Sequence, residues 1–86
     1  MADRRDADLK ARLRAALVRH LQRHPLAGDT VDGMVACWLP RHGLDDALQF
    51  VGEVVESMVA AGELLPTRLP DGRLFYQRGP ALASRD

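Results

Sequence analysis

The chain has 86 residues, 47% of them hydrophobic and 28% charged, with twelve basic and twelve acidic side chains and a single cysteine, Cys37. That size bounds it to one domain with one small core, and the apolar share separates it from disordered sequences. No apolar run nears the roughly 20 residues of a membrane span, the start MADRRDADLK has no apolar stretch behind its charges, and Cys37 has no internal disulfide partner, so a soluble, cytoplasmic protein with no membrane partner is expected.

Residues 1–7 read as a charged lead-in. Asp6 or Asp8 is the expected N-cap of a first helix reaching His24, where Pro25 stops it. Leu9, Leu13, Ala16, Leu17 and Leu21 recur at helical spacing and form its apolar stripe. At the same winding Arg5, Arg12, Arg19 and Arg23 fall on a second line. This basic stripe is either a solvated face whose long stems cover apolar surface or a docking edge for an anionic partner.

Leu26-Ala27-Gly28 reads as a short connection, after which Asp29 is the expected N-cap of a second, short helix, with Asp32 well placed against the helix dipole. Val31, Met34, Val35, Trp38 and Leu39 share one apolar face, and Pro40 bars continuation. Arg41-His42-Gly43 is a tight link that makes the second and third helices cross sharply.

The third helix is expected from Leu44 or Asp46 to Ala61, with Gly62 at the C′ position. Leu44, Ala47, Leu48, Val51, Val54, Val55, Met58 and Val59 make one broad stripe. The opposite face carries Asp45, Asp46, Gln49, Glu53, Glu56 and Ser57, with no Lys or Arg. Gly52 is either a close approach of another backbone or a tolerated helix weakness. Phe50, at the edge of the stripe, packs on the first helix or stays open to a partner.

A hairpin follows, Glu63 to Arg68 and Arg73 to Arg78, turning at Pro70-Asp71-Gly72. Pro66 marks an edge strand. Alternation makes Leu74 and Tyr76 the core pair and turns Phe75 to the other face. Residues 79–86 read as a flexible tail.

The zero net charge conceals a partition along the chain. Residues 1–28 sum to +4, residues 29–66 to −6 and residues 67–86 to +2. No phosphate loop, paired-Cys motif or nucleophile triad is present in the sequence, so neither an enzyme nor a bound cofactor is expected. His20 and His24 are i, i+4 and can share a face, but Cys37 and His42 follow at a spacing that matches no common zinc module, and no metal is expected.

The order helix, helix, tight turn, helix, Gly and hairpin spans Leu9 to Arg78 and resembles the winged-helix family, carried by VVESMVAAGELL for the third helix and its Gly and by PDGRLFYQR for the wing. The resemblance implies a mainly α fold with a small β-hairpin: a single winged-helix domain over residues 8–78, three helices plus a two-stranded wing. It implies a fold more than a function. In DNA-binding members the third helix enters the major groove while basic groups hold phosphates. Asp45, Asp46, Glu53 and Glu56 depart from that pattern, since they add repulsion against the duplex. The expectation is a non-enzymatic module that binds another protein or a second copy of itself, through the acidic face Asp45, Asp46, Gln49, Glu53 and Glu56 and the basic stripe Arg5, Arg12, Arg19 and Arg23. The alternative is a DNA-binding regulator using the first helix and the wing residues Arg68, Arg73, Phe75 and Arg78.

Overall fold

The structure, a computed structural model, describes residues 4–39 and 45–83. They form helix α1 (Arg4–Arg23), strand β1 (Gly28–Asp29) and helix α2 (Val31–Gly33), which runs on as a π-helical stretch (Met34–Trp38). A 3₁₀ segment (Asp45–Phe50) leads into helix α3 (Val51–Ala60), followed by strands β2 (Leu64–Arg68) and β3 (Leu74–Arg78) and a last helical turn, α4 (Pro80–Ala83). The chain is mainly helical with a small antiparallel sheet.

Helix α1 already includes Arg4, so residues 4–7 are helix and neither Asp6 nor Asp8 is its cap. Asp6 instead lies in the first turn, where a carboxylate favours the positive end of the helix dipole. Leu13, Ala16, Leu17 and Leu21 are buried and Leu9 is partly so. At the far end His24 N–H donates to His20 O and Ala27 N–H to His24 O, closing a tight turn around Pro25.

The expected two-stranded hairpin has a third strand. Gly28 pairs with Gln77 and Asp29 with Tyr76, giving the order β1-β3-β2. Two residues carry no readable alternation, so periodicity does not reveal β1. Its pairing also moves the helix cap: Asp29 is held in the strand, and Thr30 caps α2, its Oγ1 accepting Gly33 N–H at 3.2 Å. In the π-helical stretch Leu39 N–H donates to Met34 O across five residues. The wider turn rotates Val35 partly out while Met34, Trp38 and Leu39 reach the core. The Arg41-His42-Gly43 link, with Pro40 and Leu44, lies outside the described residues.

The third helix is α-helical only from Val51 to Ala60, and Asp45–Phe50 winds more tightly as 3₁₀. Such turns are frequent at helix starts. Ala47, Val51, Val54, Val55 and Met58 are buried against α1 and the sheet, with Leu48, Phe50 and Val59 at the edge. The helix ends as Gly62 requires: its φ is +76°, Gly62 N–H donates to Val59 O, and Glu63 N–H reaches back to Met58 O at 2.8 Å. This paired closure satisfies carbonyls that a helix end leaves open. A Cβ on Gly52 would meet no neighbouring side chain or other element within 4 Å, so that glycine serves no close approach.

β2 is an edge strand, consistent with its Pro66. The hairpin turn is closed by Gly72 N–H donating to Leu69 O, and Gly72 sits at φ +91°. Tyr76 is buried, but Leu74 is 39% exposed, so the expected core pair is corrected. Leu74 pairs with Arg68 at the hairpin tip, beyond the end of the core, and lines a shallow hollow with Thr30 and Val31. For the described part of the expected flexible tail the reading is corrected, because Pro80–Ala83 is helical and Leu82 is buried in the core; residues 84–86 lie outside the described residues. Gly79 N–H donates to Glu63 O, Ala81 N–H to Gly62 O, and a Cβ on Gly79 would stand 2.2 Å from Gly62 O, so the backbones meet closely here.

Candidate interaction surfaces

The acidic face of the third helix is less continuous than its sequence. Asp45 and Asp46 stand on the 3₁₀ segment, and their side chains lie outside the described set. Gln49, Glu53 and Glu56 are exposed, but Glu53 Oε2 forms an ion pair with Lys10 Nζ of α1. The same ammonium sits 5.1 Å from the Phe50 ring centroid, a cation–π distance. Phe50 therefore packs on the first helix. Ser57, also exposed, donates its hydroxyl to Val54 O at 3.0 Å.

One turn further along α1, Arg14 donates to Glu63 through two nitrogens, with Nε 3.1 Å from Oε1. Glu63 is only 4% exposed, while 44% of the Arg14 side chain remains accessible. Glu63 thus joins three parts of the fold: its N–H closes α3, its carbonyl receives Gly79, and its carboxylate receives α1. Lys10 and Arg14 were not distinguished from the other basic residues by sequence reasoning. Their i, i+4 spacing on α1 is the available signal, but the carboxylates they meet are distant in sequence, and only packing brings them together.

The arginines of the basic stripe lie on the open side of α1. Arg12, Arg19 and Arg23 are exposed along one side of α1 and have no ion-pair partner among the described residues; Arg5 is exposed on the same line. At 1.5 Å per residue the line from Arg5 to Arg23 is about 27 Å long. On the hairpin, Arg68 is exposed and Arg78 half-buried. Arg73 is occupied locally: its N–H and Nε donate to Asp71 at 3.0 and 2.7 Å. The backbone N–H of Arg73, followed by its side chain, holds the Asp71 carboxyl below the ordinary carboxylate range. Phe75 lies on the face opposite Tyr76, where its ring occupies the space a side chain on Gly28 would need, 2.5 Å from that position.

Two leucines with no marking pattern in the sequence lie on the surface. Leu26 is 96% exposed and Leu65 is 50% exposed, and both line one hollow with Arg78 and Pro80. In sequence Leu26 is an isolated apolar residue in a connection, and Leu65 follows the buried Leu64, so neither stands out.

His20 stacks on Trp38 at 4.2 Å between ring centroids, and His24 lies 4.9 Å from His20. Cys37 is exposed, and His42 lies outside the described residues. Among the described residues no three His, Cys, Asp or Glu side chains come together as metal ligands, and no helix is long and apolar enough to cross a membrane. Compared with known proteins, the chain matches no family model, no curated protein and no solved structure.

Proposed function

We propose that the chain is a small non-enzymatic winged-helix module that binds another protein or a second copy of itself. The observation that carries this reading is the outward face of α3, where Glu53 and Glu56 are exposed and no Lys or Arg is present. A helix of that composition, set in a major groove, would meet phosphate with repulsion. Glu53 is already matched by Lys10 from within the chain, which leaves Glu56 as the acidic residue of α3 open to a partner. The open line Arg12, Arg19 and Arg23 on α1 offers the opposite charge. Two such faces on one molecule suit charge-selected association, which favours the right partner and disfavours like-charged ones.

The wing-led DNA alternative is supported by Arg68 and Arg78 on the hairpin. It is weakened by the contact of Arg73 with Asp71 and by a sequence pI of about 6.8, which is not the basic footprint of a small DNA-binding domain. Charge reversal tests the proposal. Glu56→Lys on α3 and Arg19→Glu on α1 are assayed for self-association by sedimentation velocity and for partner capture. Loss of association by about tenfold in either variant is expected, and an unchanged association and capture profile in both contradicts the proposal.

A further inference from the structure

The most exposed large hydrophobic side chain among the described residues, Leu26, sits just past the end of the basic stripe. Leu26, 96% exposed, is not carried on a loose loop. It is held between the bond from Ala27 N–H to His24 O and the pairing of Gly28 and Asp29 with β3. Pro25 and Leu26 form a wall common to two shallow hollows. One, of about 440 Å³, is closed by Leu65, Arg78 and Pro80. The other is closed by His20, Arg23 and His24.

Among the described residues no Asp or Glu lines either hollow. Arg23 and Arg78 have no ion-pair partner among the described residues. The surface is therefore an apolar centre with a cationic rim. An exposed leucine beside a hollow could fit a second copy by mutual insertion about a two-fold axis, but that symmetry sets like patch against like patch and brings the same arginines together. Addition of a strand to the sheet is also disfavoured: the open edge of β2 carries Pro66, which lacks an N–H, and β1 is two residues long. Concave walls suit a side chain better than a lipid surface.

We propose that the Leu26–Leu65 face docks an acidic peptide segment of a partner protein, seating large apolar side chains beside the two leucines and carboxylates against Arg23 and Arg78. This rests on the protein-interaction reading and names the chemistry of the partner. The preset position of Leu26 reduces the ordering cost of binding.

The test uses the full chain as bait for a displayed library of random peptides about a dozen residues long, followed by fluorescence anisotropy with the synthesised peptides that enrich. The expected peptides combine one or two large apolar residues with Asp or Glu. Leu26→Asp weakens their binding at least about tenfold, as loss of a central anchor does. Arg23→Glu weakens it as well, and exchanging the peptide's Glu for Lys restores binding to that variant. Leu26 is so exposed that its substitution leaves the thermal midpoint unchanged, and Leu26→Ser provides a second, uncharged check.

Enrichment of basic or uncharged peptides, unchanged binding to Leu26→Asp, or no enrichment at all overturns the proposal. So does Leu26-dependent binding to phosphatidylserine vesicles or a Leu26-dependent dimer in place of peptide binding. Where Glu56→Lys or Arg19→Glu abolishes a protein association that Leu26→Asp leaves intact, this surface falls and the module reading stands. Salt-sensitive duplex binding with no peptide enrichment removes both.

Discussion

Replacing Arg14 with Met tests whether the contact between α1 and the base of the hairpin holds the fold together. Glu63 is 4% exposed, and its carboxylate takes both its hydrogen bonds from Arg14. Without the guanidinium, that carboxylate is left largely out of water and unpaired. Breaking a fully buried pair costs about 3–5 kcal/mol. Here 44% of the Arg14 side chain is accessible, so water screens half of the pair and can enter the vacated space. That brings the expected cost to about 2 kcal/mol, within the range for a hydrogen bond to a charged group. In a chain of this length each kcal/mol shifts the melting midpoint by about 4–8 °C, so Tm should fall by about 8–16 °C. Urea unfolding followed through Trp38, buried and the chain's single tryptophan, measures the free energy directly. The double variant Arg14→Met with Glu63→Leu removes both charges and should recover most of the loss. A cost below about 0.5 kcal/mol for Arg14→Met, as for an ordinary surface ion pair, refutes the reasoning. So does a double variant no more stable than Arg14→Met alone.

Gly52→Ala meets open space on α3, and urea titration should show it stabilised by about 0.4–1 kcal/mol; a loss of stability means the glycine is required after all. Gly79→Ala forces a Cβ toward the carbonyl of Gly62 and should cost about 3 kcal/mol, the upper part of the overpacking range. A neutral result there contradicts the close backbone approach. The pKa of Asp71 is depressed in the fold, so its contribution to the turn is complete above the unfolded pKa and is lost as pH falls through the folded one. NMR should show the Arg73 N–H and Nε–H resonances titrating below about pH 4, and a midpoint at or above the ordinary carboxylate value argues against the bond.

Where a residue's environment is set by its near neighbours, the sequence was readable. The α1 stripe from Leu13 to Leu21, the left-handed Gly62 ending α3, and the turn at Pro70, Asp71 and Gly72 all follow from spacing and local backbone chemistry. Features decided by distant partners were not readable. β1 exists because Gly28 and Asp29 meet Gln77 and Tyr76, and that pairing moved the cap from Asp29 to Thr30, a neighbour equally suited by composition. The π-helical turn at Met34–Trp38 replaced a regular helix that the same apolar pattern would have served. For the candidate surfaces the division is similar. The arginine line was legible because it lies on one helix, whereas the pairing of Glu53 with Lys10 and of Glu63 with Arg14 spans separate elements. Leu82 gives no signal of its burial in the sequence, because one large apolar residue in ALASRD has no period, yet it is buried in the core.

On the proposed function the third helix serves a protein partner and not a duplex. A titration of the purified chain against mixed-sequence duplex DNA at about 50 and about 200 mM salt tests it most directly, because phosphate contacts weaken steeply across that range. No saturable binding is expected even at the lower salt concentration. Tight binding that collapses at the higher one, and that Arg68→Ala or Arg78→Ala weakens, contradicts the proposed function.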